Sequence, residues 1–186
     1  FFHGIKSAVG NSTIIAEDLG VITADVTELR ESINAPGMVI LQFAWGSDGK
    51  NPHLPHNHYE NSVCYTGTHD NETSQGWYLN QSEFIRKKLK NYAHVTSSNC
   101  AWDLVGCAMA SVSKTCIIPM QDILSLGNEA RMNTPGVADG NWTWRIGSPQ
   151  FFSSLVPEAS KLAQMVSLYD RAQEIGDNLQ KEKVDI

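Results

Sequence analysis

A short β-prone run passes directly into polar side chains in the stretch Val63-Cys64-Tyr65-Thr66-Gly67-Thr68-His69-Asp70-Asn71. The β-branched and aromatic residues of this run favour a pleated, half-buried surface, so residues 63–68 are predicted to form a strand. The polar group that follows would then lie at the carboxyl end of that strand. In parallel α/β folds this is the end at which functional side chains collect.

Three further strands are predicted in the chain, at residues 13–16, 38–44 and 115–120. Helices are predicted from apolar residues spaced three and four apart, at residues 25–33, 82–92, 99–112 and 157–175. Residues 46–61 and 124–147 contain many Gly, Pro and Asn residues and are predicted to be loops. The charged tail, residues 177–186, is expected to fray.

Strands that alternate with helices predict parallel βαβ units in an α/β fold. Four such strands in 186 residues are too few for a complete eight-stranded barrel, which needs about 250 residues. The sequence therefore predicts about four βα units. Residues 1–186 are taken as one incomplete domain.

Charge and composition exclude several classes of function. With 14 basic and 20 acidic residues, the formal net charge is −6, which argues against a nucleic-acid partner. The longest apolar runs, such as residues 38–41, are far shorter than the roughly 20 residues of a membrane helix, so no membrane partner is expected. The four cysteines show no closely spaced pair and are predicted to be reduced thiols.

Acidic residues follow two of the predicted strands. Glu17 and Asp18 come after the first strand and Asp70 after the third, and Glu17 and Asp70 are 53 residues apart. This separation is close to two βα units of about 31 residues each, which puts both carboxylates on one rim of a parallel barrel. Paired carboxylates facing a cavity are typical of glycosidic bond cleavage. The spacing alone is equally compatible with helix caps or surface carboxylates at the start of loops.

Several longer motifs are more specific than this spacing. They are Ile14-Ile15-Ala16-Glu17-Asp18-Leu19-Gly20-Val21-Ile22-Thr23, Pro36-Gly37-Met38, Asn51-Pro52-His53-Leu54-Pro55-His56-Asn57, Tyr65-Thr66-Gly67-Thr68-His69-Asp70-Asn71, Gln121-Asp122-Ile123-Leu124, Glu129-Ala130-Arg131-Met132-Asn133-Thr134-Pro135-Gly136 and Gly140-Asn141-Trp142-Thr143-Trp144-Arg145. In this order, across residues 1 to about 175, the sequence resembles the 4-α-glucanotransferases, also called amylomaltases or disproportionating enzymes. The plant plastid form is the most similar.

The resemblance implies the C-terminal half of a TIM-type (β/α)8 barrel of the α-amylase clan. It implies that Glu17 is the general acid/base and that Asp70 stabilises the transition state. It also implies that His69 contacts the sugar in the cleaved subsite. Asn71, Asp18 and Gln121 are further candidates for substrate binding. The nucleophile of the family is an Asp on the preceding barrel strand, and no residue of this chain matches it.

The expected activity is therefore the retaining transfer of α-1,4-glucan segments between maltooligosaccharides, with no metal and no cofactor. Two alternatives stay open, a catalytically incomplete glucan-binding fragment and an α-glucan hydrolase of the same clan. The missing N-terminal half of the barrel is an expected partner, and exposed sheet edges predict self-association of the chain. The resemblance implies a plastid location, with the cytoplasm as the alternative.

Other polar and aromatic residues have less specific interpretations. A metal site formed by His53, His56, His58 and Cys64 is disfavoured, because these residues lie on a Pro-containing loop without a second nearby Cys. Their imidazoles are expected to bond to backbone or sugar hydroxyls in a loop over the cleft. Arg131 and Arg145 are expected to brace loop carbonyls or carboxylates. Trp142 and Trp144 alternate as in an edge strand, with sugar stacking as the alternative.

Overall fold

A computed structural model describes residues 1–10 and 14–172 of the chain. Its helices are α1 (Phe2–Val9), α2 (Ala24–Ser32), α3 (Ser74–Asn80), α4 (Glu83–Ala93), α5 (Cys100–Met109), α6 (Met120–Ile123) and α7 (Val156–Leu168). Its strands are β1 (Gly37–Ile40), β2 (Ser62–Tyr65) and β3 (Thr115–Ile117). Shorter 3₁₀ turns cover Leu41–Phe43, Pro55–Asn57, Asn128–Ala130 and Pro149–Ser154.

The three strands form one parallel sheet in the order β1-β2-β3. Val39 pairs with Cys64, which pairs with Cys116, and these three side chains lie on the face that packs against the helices. Since successive side chains of a strand point to opposite faces, Ile40, Tyr65 and Ile117 lie on the other face. The parallel arrangement predicted from alternating strands and helices is confirmed.

The hydrophobic core lies between the sheet and helices α3, α4 and α5. Leu89 of α4 and Leu104 and Ala108 of α5 are fully buried against Val39 and Cys64. Trp45, Leu54, Trp77, Tyr78, Val95 and Cys100 complete this cluster of buried side chains. All four cysteines fall within the described residues and are thiols, as predicted.

The predicted first strand does not form. Residue 13 lies outside the described residues, and Ile14, Ile15 and Ala16 have no strand geometry. The backbone N–H of Ala16 donates to the carbonyl of Pro36 over 2.9 Å, just before β1 begins. One such bond does not make a ladder, because a strand needs a series of bonded residues along its neighbour. The described part of the segment is therefore irregular and is joined to the residue before β1 by this bond.

The other predicted strands are present but end earlier than the apolar runs. The run at residues 38–44 passes from β1 into the Leu41–Phe43 turn, and residues 115–120 end in α6 after Pro119. In the run at residues 63–68, the Thr66 hydroxyl donates to the Asp122 carboxylate over 2.5 Å. This bond links the residue after β2 to α6.

Several helices differ from the prediction: α1 and α6 were not predicted, and the helix predicted for residues 99–112 ends at Met109. Helix α3 was not predicted, although Thr73 caps it by accepting from the N–H of Gly76 over 3.1 Å. The helix predicted for residues 157–175 ends at Leu168. It ends there because Asp170 is in the left-handed region at φ 51° and the N–H of Arg171 bonds back to the carbonyl of Val166. The tail predicted to fray, residues 177–186, lies outside the described residues.

The chain divides into two units, residues 1–146 and residues 147–186. The first holds the sheet, helices α1–α6 and the core. The described part of the second consists of the Pro149–Ser154 turn and helix α7. In the described ranges 1–10 and 14–172, no helix combines the length and apolarity needed to cross a bilayer.

Candidate active site

A cavity of about 1030 Å³ lies in the first unit, on the face of the sheet opposite the helical core. Met38, Tyr65 and Ile117, from all three strands, line it. The residues that follow the strands complete the wall, and Glu17, His69, Asp70, Asn71 and Gln121 are among them. Five of the six residues singled out in the sequence therefore line one cavity, and Asp18 does not.

The T-H-D-N motif forms a turn that is held by its own side chains. The side-chain carbonyl of Asn71 accepts from the backbone N–H of Thr68 over 2.8 Å and from its hydroxyl over 2.9 Å. Gly67 leads into this turn, and a Cβ added there would lie 2.6 Å from the amide nitrogen of Gln42. Asn71 thus shapes the loop that carries His69 and Asp70.

Asp70 is fixed from both its side chain and its backbone. Its Oδ1 lies 3.2 Å from Nε2 of His69 and accepts from the amide of Asn133 over 2.6 Å. The guanidinium of Arg131 donates to the Asp70 carbonyl over 2.7 Å and to the Asn133 carbonyl over 2.8 Å. The Asp70 side chain is still 43% exposed, so its carboxylate is open to the cavity.

Glu17 reaches the cavity from the irregular segment before α2, and no hydrogen-bond partner fixes it there among the described contacts. Burial raises the pKa of the Tyr65 phenol, and the negative charge of Glu17 raises it further. That influence places the Glu17 carboxylate within electrostatic range of Tyr65, on the cavity face of β2.

The neighbouring carboxylate, Asp18, points away from the cavity. Its Oδ1 accepts from the N–H of Met38 over 2.7 Å, and its Oδ2 lies 3.4 Å from the guanidinium of Arg30. Gly37 leaves room for this carboxylate, because a Cβ at that position would collide with Asp18 Oδ2. Asp18 therefore anchors the segment that carries Glu17 to the start of β1.

Gln121 and Asp122 are also neighbours with different roles, one at the cavity wall and one buried in hydrogen bonds. Gln121 lines the cavity while its amide donates to the carbonyl of Ala130 over 3.1 Å. Asp122 is 1% exposed and accepts from the hydroxyls of Thr66 and Ser74 and from the N–H of Ser74. Burial raises the pKa of Asp122, while these hydrogen bonds act to lower it.

The histidines of the loop at residues 46–61 bond to the backbone, as expected, but their other partners are hydroxyls of the protein. His53 Nδ1 accepts from the N–H of Ile40 over 3.1 Å. His56 contacts the Tyr92 hydroxyl, and His58 bonds to the Ser111 hydroxyl and the His53 carbonyl. None of these three imidazoles is among the described residues that line the cavity.

Arg131 and Arg145 brace loop carbonyls, as expected. Arg131 donates to the carbonyl of Asp70, and Arg145 donates to the carbonyls of Trp142 and Trp144.

Sequence reasoning missed Asn133, the amide partner of Asp70. Asn133 lies 63 residues after Asp70 in the chain. The only sequence feature that could have marked it as a site residue is its position in the motif that begins at Glu129. Trp142 and Trp144 do not form an edge strand; they lie in a turn and the irregular chain after it.

The sheet and the cavity define an α/β protein whose carboxylates gather beyond the carboxyl ends of parallel strands. The family model described as 4-alpha-glucanotransferase matches residues 1–149, and the chain belongs to this family. The chain is 52% identical to the chloroplastic/amyloplastic 4-alpha-glucanotransferase of Solanum tuberosum, over 91% of this chain and 30% of the relative. It is 45% identical to the 4-alpha-glucanotransferase of Synechocystis sp., over 92% of this chain and 34% of the relative.

Solved structures give the same fold. Amylomaltase from Streptococcus agalactiae in complex with acarbose matches with a TM-score of 0.84 at 32% identity, over 92% of this chain and 34% of that chain. The predicted fold class, part of a TIM-type barrel of the α-amylase clan, is confirmed. The chain thus spans about a third of the length of the relatives it matches.

Proposed function

We propose that the protein containing this chain transfers α-1,4-glucan segments between maltooligosaccharides by a retaining mechanism. The observation that carries the proposal is that Glu17 and Asp70 line the same cavity beyond the carboxyl ends of a parallel sheet. Membership of the 4-alpha-glucanotransferase family supports it. The plant relatives named chloroplastic/amyloplastic further support a location in the plastid.

Glu17 would serve as the general acid/base. It reaches the cavity from the irregular segment before α2, and the neighbouring Asp18 holds that segment to Met38 and Arg30. A group that first donates a proton to the leaving oxygen and then removes one from the incoming hydroxyl must change its protonation state in each half-reaction. A carboxylate with few hydrogen bonds to the protein, such as that of Glu17, can take up and release this proton without first breaking such bonds.

Asp70 would stabilise the positive charge that develops on the sugar in the transition state. The amide of Asn133 and the imidazole of His69 hold its carboxylate, and Arg131 holds its backbone. A preorganised charge of this kind acts on the transition state more strongly than on the ground state. His69 and Gln121 would contribute hydrogen bonds to sugar hydroxyls at the same wall.

The nucleophile would come from outside this chain. Besides Glu17 and Asp70, the described acidic residues of the cavity wall are Glu72 and Asp122. Glu72 accepts from the amides of Asn80 and Asn128, and Asp122 is buried under its three hydrogen bonds. Both are engaged in holding the loops, so we expect the 186-residue chain alone to be inactive.

The test is maltotriose disproportionation by the complete protein and by this chain alone. Transfer releases glucose and longer oligosaccharides while the number of reducing ends stays constant. We expect Asp70→Asn to lower kcat by orders of magnitude with a modest change in KM, whereas the exposed control Asp139→Asn leaves both unchanged.

A steady increase in reducing ends would instead establish hydrolysis. Wild-type turnover by Asp70→Asn would refute the assigned role. Turnover by the pure chain would show that one of its own carboxylates acts as the nucleophile.

A further inference from the structure

Trp142 stands at the edge of the cavity with much of its indole exposed. Its ring centroid lies 5.1 Å from that of His69, with the two planes inclined by 37°. His69 is part of the cavity wall, so the indole extends that wall outward. Although one side contacts His69, Trp142 remains 52% exposed, whereas Trp45, Trp77 and Trp102 are 1%, 8% and 6% exposed.

The backbone holds Trp142 in a conformation that a tryptophan rarely adopts. Its φ of 60° lies in the left-handed region, where a side chain with a Cβ is strained. The strain is maintained by its surroundings, since the Trp142 N–H donates to the Met132 carbonyl over 2.7 Å and the Trp142 carbonyl accepts from Arg145 over 2.8 Å. A strained residue that its neighbours hold in place at the border of a cavity points to a role for its side chain.

We propose that the exposed surface of Trp142 stacks against a glucose unit of a bound α-glucan, beside the unit that occupies the cavity. This inference rests on the proposed function. The ring of a glucose unit carries an apolar face of C–H groups, which pack favourably on a flat indole. The polar groups around it, on His69, Asp70 and Arg131, are within the same wall and suit the hydroxyls of the adjoining unit.

The chemistry of the surface favours a neutral sugar over a charged ligand. The Arg131 guanidinium is engaged with the carbonyls of Asp70 and Asn133, and the Arg145 guanidinium with those of Trp142 and Trp144. Both guanidinium groups keep their positive charge, but several of their donors are engaged with these carbonyls, and the Asp70 carboxylate on the same wall disfavours an anion. An extended glucan can place one unit in the cavity and the next on the indole.

The experiment measures maltoheptaose binding by calorimetry to the complete protein, in the Glu17→Gln background so that the sugar is not consumed. We expect Trp142→Ala to weaken binding about tenfold and Trp142→Phe to retain part of the affinity, because a phenyl ring still offers a flat face. Trp144→Phe, which removes an indole two residues away, is the matched control and should bind as tightly as the parent. Equal affinities for all three variants would overturn the stacking proposal.

Two further readouts separate sugar contact from a structural role. In the protein with Glu17 intact, Trp142→Ala should raise KM for maltoheptaose with kcat nearly unchanged, because a stack on the apolar face of the neighbouring unit is made equally in the ground state and in the transition state. A decrease in kcat at constant KM would show that Trp142 acts by positioning His69 and would overturn the proposal. Maltoheptaose should also protect the exposed indole from acrylamide quenching in the parent and in Trp144→Phe, but not in Trp142→Phe, which decides the question if Trp142→Ala does not fold.

The same titration distinguishes this inference from the proposed function. If the parent protein binds no maltooligosaccharide, the proposed function fails and the stacking site fails with it. If the parent binds maltoheptaose and the Trp142 variants bind it equally well, the stacking site alone fails.

Discussion

Asp122 is the residue whose removal should most clearly destabilise the site. Its buried carboxylate joins three segments, since it accepts over 2.5 Å from Thr66 after β2, and over 2.7 and 2.8 Å from the hydroxyl and N–H of Ser74 at the start of α3. Thr66 and Ser74 are both 0% exposed, so water cannot replace the carboxylate. Asp122→Ala would leave three buried donors without their partner.

The size of the effect follows from these three donors. An unsatisfied buried donor costs about 1–3 kcal/mol, and the two hydroxyls can rotate toward other acceptors, so we expect a loss of about 3–5 kcal/mol. Removing a buried charge offsets part of this, which is consistent with the raised pKa of Asp122. Asp122→Asn keeps one acceptor oxygen, and we expect it to lose about 1–2 kcal/mol.

Hydrogen exchange in the complete protein tests this prediction locally. Amides of β2 and of α3 should exchange roughly 150-fold to several thousandfold faster in Asp122→Ala than in the wild type, because the opening free energy falls by about 3–5 kcal/mol and each 1.4 kcal/mol is a factor of about ten. Asp139→Ala, at an exposed position, is the control and should change exchange very little. Wild-type protection of residues 62–80 in Asp122→Ala would refute the view that this carboxylate holds the end of β2 against α3.

Three other outcomes are expected. Glu17→Gln should abolish transfer from maltotriose while calorimetry still detects maltooligosaccharide binding, with Glu28→Gln as an exposed control; near-normal turnover would contradict the acid/base role. Asn133→Ala removes the 2.6 Å bond to Asp70, so kcat should fall about tenfold with KM little changed, and a change confined to KM would refute positioning. Burial lowers the pKa of His53 and of His58 below 6.5 in the folded state. The unfolded chain therefore binds more protons than the folded chain just below pH 6.5, and the free energy of unfolding decreases as the pH falls through this range. Urea midpoints that do not decrease between pH 7.5 and pH 5.5 would contradict this prediction.

The sequence by itself determined much of the local structure of this protein, although α1, α3 and α6 were not predicted and the predicted first strand does not form. Apolar runs located β1, β2 and β3, and apolar spacing located α2, α4 and α5, because side-chain periodicity along one segment depends only on that segment. The alternation of these elements then required a parallel sheet. It also placed Glu17 and Asp70 near one rim; both residues line one cavity, although the strand predicted before Glu17 does not form.

Only the tertiary structure decided how long the elements are and which polar groups meet. The run at residues 63–68 was predicted to be one strand, but β2 ends at Tyr65, and the hydroxyl of the next residue, Thr66, bonds to Asp122, 56 residues later. The adjacent carboxylates of Glu17 and Asp18 also have different surroundings, since Glu17 lines the cavity while Asp18 contacts Arg30 and Met38. These outcomes depend on contacts between residues that are distant in the chain. The pattern of one segment does not show which distant hydrogen-bond partner folding will bring next to it.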